Sequence, residues 1–300
     1  MLYTGIYWGC IFSSSWFTSF VPAAIPTFVR SIPRALFALL FPDNCRICAE
    51  PLVKVSRIPV CPKCLAKPEP ISAEHFCVAC RTPFLSPFPL DADGLCGLCR
   101  RGLNAFDCAY SFGSYEDELR QLIHLFKYAR IQTLARPLGR MLVSAVPPGE
   151  EFDLIVPVPL HWYKRWRRGF NQSLLLAKEV GRSTGTEVRC LVRRVHSTKV
   201  QAGLTGNKRR ENMRGAFRVK SRRSVANKSV LLIDDVMTTG ATAGSCAQAL
   251  KRAGARRVTL LTVARVDRRL TVAVRDTTLN RNPDSYPFRS LEDAQSGSIA

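Results

Sequence analysis

Short apolar segments alternate with amphipathic segments through the second half of the chain. The apolar segments have the length of strands and lie at 108–115, 153–158, 230–233 and 258–263. Apolar and polar residues alternate in the first of them, whereas the other three are mainly apolar. The amphipathic segments have the period of helices: 116–128, 171–181 and 243–253. Apolar strands between amphipathic helices are typical of a parallel sheet covered on both faces. The predicted fold class is therefore α/β, with a five-stranded or similar parallel sheet.

The two ends of the chain follow a different pattern. Segment 1–41 is apolar and aromatic, but prolines interrupt it and no basic segment precedes it, so it fits neither a signal peptide nor a membrane-spanning helix. It is interpreted as an extension of uncertain order. A start placed too far upstream and a peripheral membrane contact are the alternatives, and 32–41 has the character of a short packed helix. The polar tail 269–300 is predicted to be disordered.

Composition narrows the class of partner. The chain has 300 residues and 46% hydrophobic residues, which excludes a disordered or collagen-like protein. Lys and Arg number 44 against 23 Asp and Glu, so the net charge is +21 and the natural partners are anions. Residues 161–228 hold nineteen of these cations and three glutamates, a surplus of +16. A solvated basic surface and an anion-binding surface both explain that surplus.

Eight of the twelve cysteines form four Cys-x-x-Cys pairs, separated by 12, 12 and 15 residues. They are Cys45, Cys48, Cys61, Cys64, Cys77, Cys80, Cys96 and Cys99. A disulfide framework does not favour this repeated spacing, whereas tetrahedral zinc does, since two such pairs complete one site. We predict two closed structural zinc sites, and the three possible ways of combining the pairs stay open. The remaining cysteines are interpreted as buried apolar residues: Cys10, Cys108, Cys190 and Cys246.

The candidate chemistry lies where the strand at 230–233 ends. Asp234 and Asp235 follow the strand directly, and a Thr/Gly loop then opens into a helix. In an open α/β sheet this is the place where ligands bind. Two carboxylates suit a ribose diol, and the loop with its helix start suits a phosphate close by. The predicted binding residues are Asp234, Asp235, Thr238, Thr239, Gly240, Ala241 and Thr242.

This run resembles the 5-phosphoribosyl-1-pyrophosphate (PRPP) signature of type I phosphoribosyltransferases. Other segments resemble the ComF family of competence-associated, phosphoribosyltransferase-like proteins: the paired cysteines, 122–127, 157–172, 201–204 and 210–217. The resemblance covers about 42–268 and implies a double zinc-knuckle module at 42–104 before a phosphoribosyltransferase domain at 105–268.

The resemblance also implies roles for residues. Asp234 and Asp235 would hold the ribose hydroxyls and 238–242 the 5-phosphate, with Mg²⁺ accompanying the pyrophosphate. Lys164, Arg165 and Arg168 are the basic residues expected at the pyrophosphate, since an arginine side chain can make bidentate phosphate contacts. Segment 201–217 is expected to close over the site. No catalytic side chain is assigned. His124, His161 and His196 are interpreted as structural, and His75 is expected to be a neighbour of a zinc site rather than a ligand.

Two function hypotheses follow. The first is a cytoplasmic phosphoribosyltransferase whose acceptor is unknown and for which an amine is a candidate. The resemblance connects it with natural competence, with uptake of single-stranded DNA, and with helicase and recombination proteins as partners. The alternative is a non-catalytic DNA-binding or regulatory protein that uses the PRPP pocket as a sensor. No spanning membrane segment is expected.

Overall fold

The computed structural model describes residues 44–52, 57–102, 105–160, 169–195 and 215–266. The helices in these ranges are α1 Pro62–Ala66, α2 Gly97–Arg100, α3 Asp117–Lys127, α4 Ala135–Ser144, α5 Gln172–Thr184 and α6 Ala241–Arg252. The strands are β1 His75–Phe76, β2 Pro83–Phe84, β3 Cys108–Ser114, β4 Leu154–Pro157, β5 Val192–Arg194, β6 Phe217–Val219, β7 Ser229–Met237 and β8 Arg257–Arg265.

A four-stranded parallel sheet is the centre of the fold, with the strand order β3–β8–β7–β4. An isolated parallel bridge between Ile155 and Val188 adds one further contact at the β4 edge. Strands β1 and β2 form a small antiparallel pair, and so do β5 and β6. The predicted α/β class with a parallel sheet is confirmed, and the sheet has four strands in the described residues.

Alternation along the central strand divides the core into two layers. Val230 and Leu232 of β7 belong to a buried cluster with α6, whereas Leu231 and Ile233 belong to a cluster with α3, α4 and α5. All four side chains are almost fully buried. Burying both faces of a strand requires a continuous apolar run, and this is why the pattern at 230–233 predicts a central strand.

The cysteine-rich segment wraps around the edge of the sheet at β3. The backbone N–H of Ile71 donates to the carbonyl of Phe112 at 2.7 Å, and that of Ala109 donates to Ala79 at 3.0 Å. These hydrogen bonds occupy an edge that would otherwise present unpaired backbone groups. Cysteines of this segment pack in both layers of the core. Cys45, Cys61 and Cys64 lie in the layer of α3, α4 and α5, whereas Cys77, Cys80 and Cys96 lie in the layer of α6.

The observed bounds differ from the predicted ones mainly at the candidate site. Strand β7 continues to Met237 because it pairs with β8 as far as Arg265, and α6 begins at Ala241 rather than at 243. Helix α4, which the sequence analysis did not predict, packs against α5 through Gly139, where a Cβ atom would lie 2.5 Å from Glu179.

Several predictions concern segments outside the described residues. These are the extension 1–41, the tail 269–300, the basic residues at 161–168 and most of the loop 201–217. Within the described ranges, no helix combines the length and the apolar character needed to cross a bilayer.

Candidate functional site: two four-cysteine centres and a strand-end acidic pair

The paired cysteines assemble into two groups of four that follow chain order. Cys45, Cys48, Cys61 and Cys64 form the first group, and Cys77, Cys80, Cys96 and Cys99 form the second, with the sulfurs of each group within 4.8 Å of one another. This settles the pairing that the spacing left open. Cys108 and Cys246 are buried as expected, whereas Cys190 is partly exposed, and Cys10 lies outside the described residues.

The geometry of both groups fits zinc. The sulfurs of Cys48 and Cys61 lie 3.7 Å apart, and so do those of Cys80 and Cys96. A tetrahedral ion with sulfur ligands at about 2.3 Å places its ligands about 3.8 Å apart, whereas disulfide sulfurs are bonded at about 2.05 Å. The two groups therefore support structural zinc. His75, which was expected beside a zinc site, lies on β1 two residues before Cys77 and in neither group.

Backbone amides complete the surroundings of the sulfurs. The N–H groups of Cys61 and Cys96 donate to the sulfurs of Cys45 and Cys77, each at 3.3 Å. Burial, together with the neighbouring Cys61 sulfur, raises the pKa of Cys64 well above that of a free thiol. Zinc must displace the proton held there, so binding releases protons and weakens as the pH falls.

The second centre is joined to the sheet by a buried arginine. The Arg265 guanidinium donates to the carbonyl oxygen of Cys80 at 2.8 Å and to the Thr82 hydroxyl, and that hydroxyl lies 2.9 Å from the Cys80 sulfur. Arg265 ends β8 and pairs in register with Met237 of β7. The centre is therefore anchored at the carboxyl edge of the sheet, where the acidic pair also lies.

Asp234 and Asp235 lie near the carboxyl end of β7, and both are partly buried. The Ser173 hydroxyl, from the first turn of α5, donates to Asp234 Oδ1 at 3.0 Å. The Asp235 backbone N–H donates to the same oxygen at 2.9 Å. Lys127 Nζ, at the end of α3, lies 3.1 Å from Asp235 Oδ1. Each carboxylate thus has its own partner from a different helix.

The electrostatics of the pair are dominated by burial. Desolvation, followed by the neighbouring charge of Asp235, raises the pKa of Asp234 to about 7. The hydrogen bonds from the Asp235 amide and Ser173 and the charge of Lys127 act in the opposite direction. Asp234 therefore exchanges a proton near neutral pH, as expected for one of two adjacent carboxyl groups in a poorly solvated place.

The loop after the acids leads directly into a helix start. Gly240 has φ +74°, a left-handed conformation that favours glycine, and it is the N-cap of α6. Thr238 is exposed, Thr239 and Thr242 are half-buried, and the Thr239 hydroxyl accepts a 3.4 Å hydrogen bond from the Ala241 amide. The first amides of a helix, with threonine hydroxyls beside them, are a suitable environment for an anion.

The structure brings together seven of the ten predicted binding residues. Asp234, Asp235 and 238–242 lie at one edge of the sheet, whereas Lys164, Arg165 and Arg168 lie outside the described residues. The sequence analysis gave no role to Lys127 or Ser173. The sequence did contain a signal for each residue. Lys127 is the last residue of the ComF-like segment 122–127, and Ser173 directly follows the segment 157–172.

Comparison with known proteins adds an independent observation. A model of the phosphoribosyl transferase domain matches residues 171–284, and a model of the double zinc ribbon domain matches residues 36–103. Competence protein F of Haemophilus influenzae is 32% identical over 175 residues, which are 56% of this chain and 76% of that protein. The chain belongs to the ComF family.

Other relatives are named DNA utilization proteins. The DNA utilization protein YhgH of Escherichia coli K12 is 36% identical over 148 residues, covering 47% of this chain and 64% of that protein. YhgH of Salmonella typhi is 35% identical over 152 residues, covering 48% and 66%. The chain therefore spans about two thirds of the YhgH proteins. The domain matches make its fold a type I phosphoribosyltransferase domain with an N-terminal zinc ribbon.

Solved structures also resemble part of this ComF protein. The allosteric regulatory enzyme of purine biosynthesis gives a TM-score of 0.32 at 20% identity, covering 44% of this chain and 26% of that one. The glutamine PRPP amidotransferase from B. subtilis gives 0.31 at 21% identity, covering 43% and 26%.

Proposed function

We propose that this ComF-family protein binds PRPP with Mg²⁺ at the carboxyl edge of its sheet and transfers the phosphoribosyl group to an acceptor. One observation carries the proposal. The acids Asp234 and Asp235 lie near the carboxyl end of a buried strand, and the glycine-capped start of α6 follows within a few residues. A ribose 5-phosphate unit presents a diol for the acids and an anion for the helix start. The double zinc ribbon is then a scaffold at 42–104 beside a phosphoribosyltransferase domain at 105–268.

The residues would divide the ligand among them. Asp234 and Asp235 would accept hydrogen bonds from the ribose hydroxyls, and the amides and hydroxyls of 238–242 would hold the 5-phosphate. Lys164, Arg165 and Arg168 would contact the pyrophosphate, where Mg²⁺ would supply further neutralising charge. Departure of pyrophosphate leaves positive charge at ribose C1, so exclusion of water by segment 201–217 would protect the transfer. The protein's part is positioning and charge stabilisation, and no nucleophilic side chain is needed.

The cellular setting is also a proposal. The relatives' names refer to competence and DNA utilization, and we place this protein in the cytoplasm in the handling of single-stranded DNA, with helicase and recombination proteins as partners. The acceptor is unassigned, and an amine is the first class to test. The alternative is a regulatory protein that binds PRPP as a signal and performs no transfer.

Turnover separates these two alternatives. With PRPP, Mg²⁺ and a panel of amines, a transferase should release pyrophosphate in an acceptor-dependent way, measured by a coupled pyrophosphate assay. The control is the Asp234→Asn, Asp235→Asn protein under the same conditions. Tight binding of PRPP without acceptor-dependent release across the panel would contradict transfer to an amine and favour the sensor.

The DNA role is supported by a second surface. Three large apolar side chains of the second ribbon are exposed: Val78, Leu85 and Phe88, the last with 94% of its surface accessible. The chain carries a net charge of +21, which favours a polyanion as its partner. An exposed aromatic ring such as that of Phe88 can stack on a base of a single strand.

Single-stranded DNA should bind without sequence preference. Its affinity should fall with salt, with a logarithmic slope of about −0.7 for each phosphate contacted. Replacing Phe88 and Leu85 with alanine should weaken binding about tenfold, because stacking contributes about 1–3 kcal/mol per base. Fluorescence anisotropy over a salt series measures both effects.

The matched comparison is replacement of Arg165, Arg167 and Arg168 together. If DNA and PRPP share the basic segment, this variant weakens both ligands and PRPP displaces DNA. DNA binding that is unaffected by the Phe88 and Leu85 changes would exclude these exposed side chains as the DNA site, and absence of binding at low salt would contradict the DNA role.

A further inference from the structure

The acidic pair is asymmetric in its surroundings. Lys127 lies 3.1 Å from Asp235, and its side chain is only 11% exposed. Asp234 receives instead a neutral hydroxyl from Ser173 and the amide of Asp235. Among the described residues, Lys127 is the cation that forms an ion pair with these acids.

The position of Lys127 is fixed by the helix that carries it. Leu122, Ile123 and Phe126 of α3 are fully buried and hold the helix against the sheet. The ring of Phe126 also packs against that of Phe170, with centroids 5.6 Å apart, just before α5 begins. The last turn of α3 is therefore fixed beside the start of α5, and the Lys127 side chain reaches Asp235 from it.

The ion pair of Lys127 and Asp235 adds little to the stability of the fold, because it is largely buried. A largely buried ion pair costs desolvation that its attraction roughly repays, so its net contribution to folding is small. The same pair has a clear effect on its neighbour, because an ammonium ion at one of two adjacent carboxyl groups decides which group keeps its negative charge. The placement of Lys127 therefore points to a role in the site.

We propose that Lys127 is a positioning residue that makes the two acids unequal: its ion pair orients the Asp235 carboxylate for one ribose hydroxyl, whereas Asp234 is held by the Ser173 hydroxyl and the Asp235 amide. This inference rests on the proposed PRPP site and assigns different roles to Asp234 and Asp235 within it. Within the described ranges, the charged and titratable groups that face the pair are Lys127 from α3 and Cys246 from α6, with the Ser173 hydroxyl from α5.

Removal of the Lys127 charge should shift the pH dependence of ligand affinity in one direction. The pKa of Asp234 is raised to about 7, and the charge of Lys127 acts to lower it. Removing that charge raises it further, so deprotonation of the pair moves to higher pH. The midpoint of the pH dependence of ligand affinity should rise by about one pH unit, the lower end of the effect of an opposite charge at short range.

The test compares five full-length, zinc-loaded variants with the wild type. Lys127→Met removes the charge, and Lys127→Arg retains it. Lys67→Met is the matched control, since Lys67 pairs with Glu118 near the other end of α3. Calorimetry with PRPP and Mg²⁺ from pH 6 to 9 should show the upward shift in Lys127→Met alone, with rescue by Lys127→Arg. At pH 7, Asp235→Asn should weaken binding at least tenfold more than Asp234→Asn.

Carboxyl NMR titration of the ligand-free protein gives a readout that does not depend on PRPP. One of the two carboxyl groups should titrate near neutral pH in the wild type, and higher in Lys127→Met. Equal effects of the two single asparagine variants, or an unchanged pH profile and titration in a folded Lys127→Met protein, would overturn the inference. A wild type that fails to bind PRPP but shows the expected titrations would count against the proposed function and not against the division between the acids.

Discussion

Replacing Asp234 and Asp235 together with asparagine should lower the affinity for PRPP at least about a hundredfold and leave the protein folded. Hydrogen bonds to charged groups contribute about 1.5–3 kcal/mol each, so loss of two corresponds to about 3 kcal/mol or more. Folding should survive because asparagine has nearly the same shape and removes the repulsion that raises the pKa of Asp234. Calorimetry measures the affinity, and a thermal melt monitors folding.

A matched control keeps this result specific. Asp153 also carries a carboxylate that accepts a backbone hydrogen bond, from Ser229 at the opposite end of β7, at 2.7 Å. Asp153→Asn should therefore leave PRPP affinity unchanged. A folded double variant that binds PRPP as tightly as the wild type would exclude the acids as the diol site.

Removing the second zinc centre should have a large effect on stability. Metal analysis of the wild type should give two zinc ions per chain, and Cys77→Ser with Cys80→Ser should leave one. The melting temperature should fall by at least about 10 °C, because structural zinc contributes several kcal/mol or more to folding and each kcal/mol shifts a chain of this size by about 2–4 °C. The sheet should be affected as well, since these cysteines share a buried cluster with β7, β8 and α6.

The first centre provides the comparison. Cys45→Ser with Cys48→Ser should also remove one zinc ion, but with a smaller loss of stability, because Cys48 is exposed and the described residues give this centre no counterpart of the Arg265 link. Cys190→Ser, a partly exposed cysteine outside both groups, should retain two ions. Fewer than two zinc ions in the wild type, or equal stability in all three variants, would contradict the proposed anchoring.

The elements of the sheet were predictable because their burial leaves a direct pattern. Hydrophobic periodicity alone predicts the strand at 230–233, which is covered on both faces. It also predicts the buried helix face that carries Leu122 and Phe126. The end of β7 was not predictable in this way, because Asp234 and Asp235 are polar and only pairing with β8 keeps them in the strand.

The part of the site whose residues are neighbours in the chain was predictable. The acids and the loop 238–242 are neighbours in the chain, so one motif contains them. Lys127 and Ser173 reach the acids from two other helices, and no local pattern encodes that approach. The pairing of the cysteine groups was open for the same reason, since the spacing defines each Cys-x-x-Cys pair but the path of the chain decides which pairs meet.

The central claim is that the carboxyl edge of the sheet binds a phosphoribosyl pyrophosphate, and isothermal titration of the zinc-loaded wild type with PRPP and Mg²⁺ tests it most directly. The account predicts saturable binding of one PRPP per chain, weakened when Mg²⁺ is withheld and abolished by the paired change at Asp234 and Asp235. Absence of heat and of thermal stabilisation at millimolar PRPP, in a protein that contains both zinc ions, would contradict it.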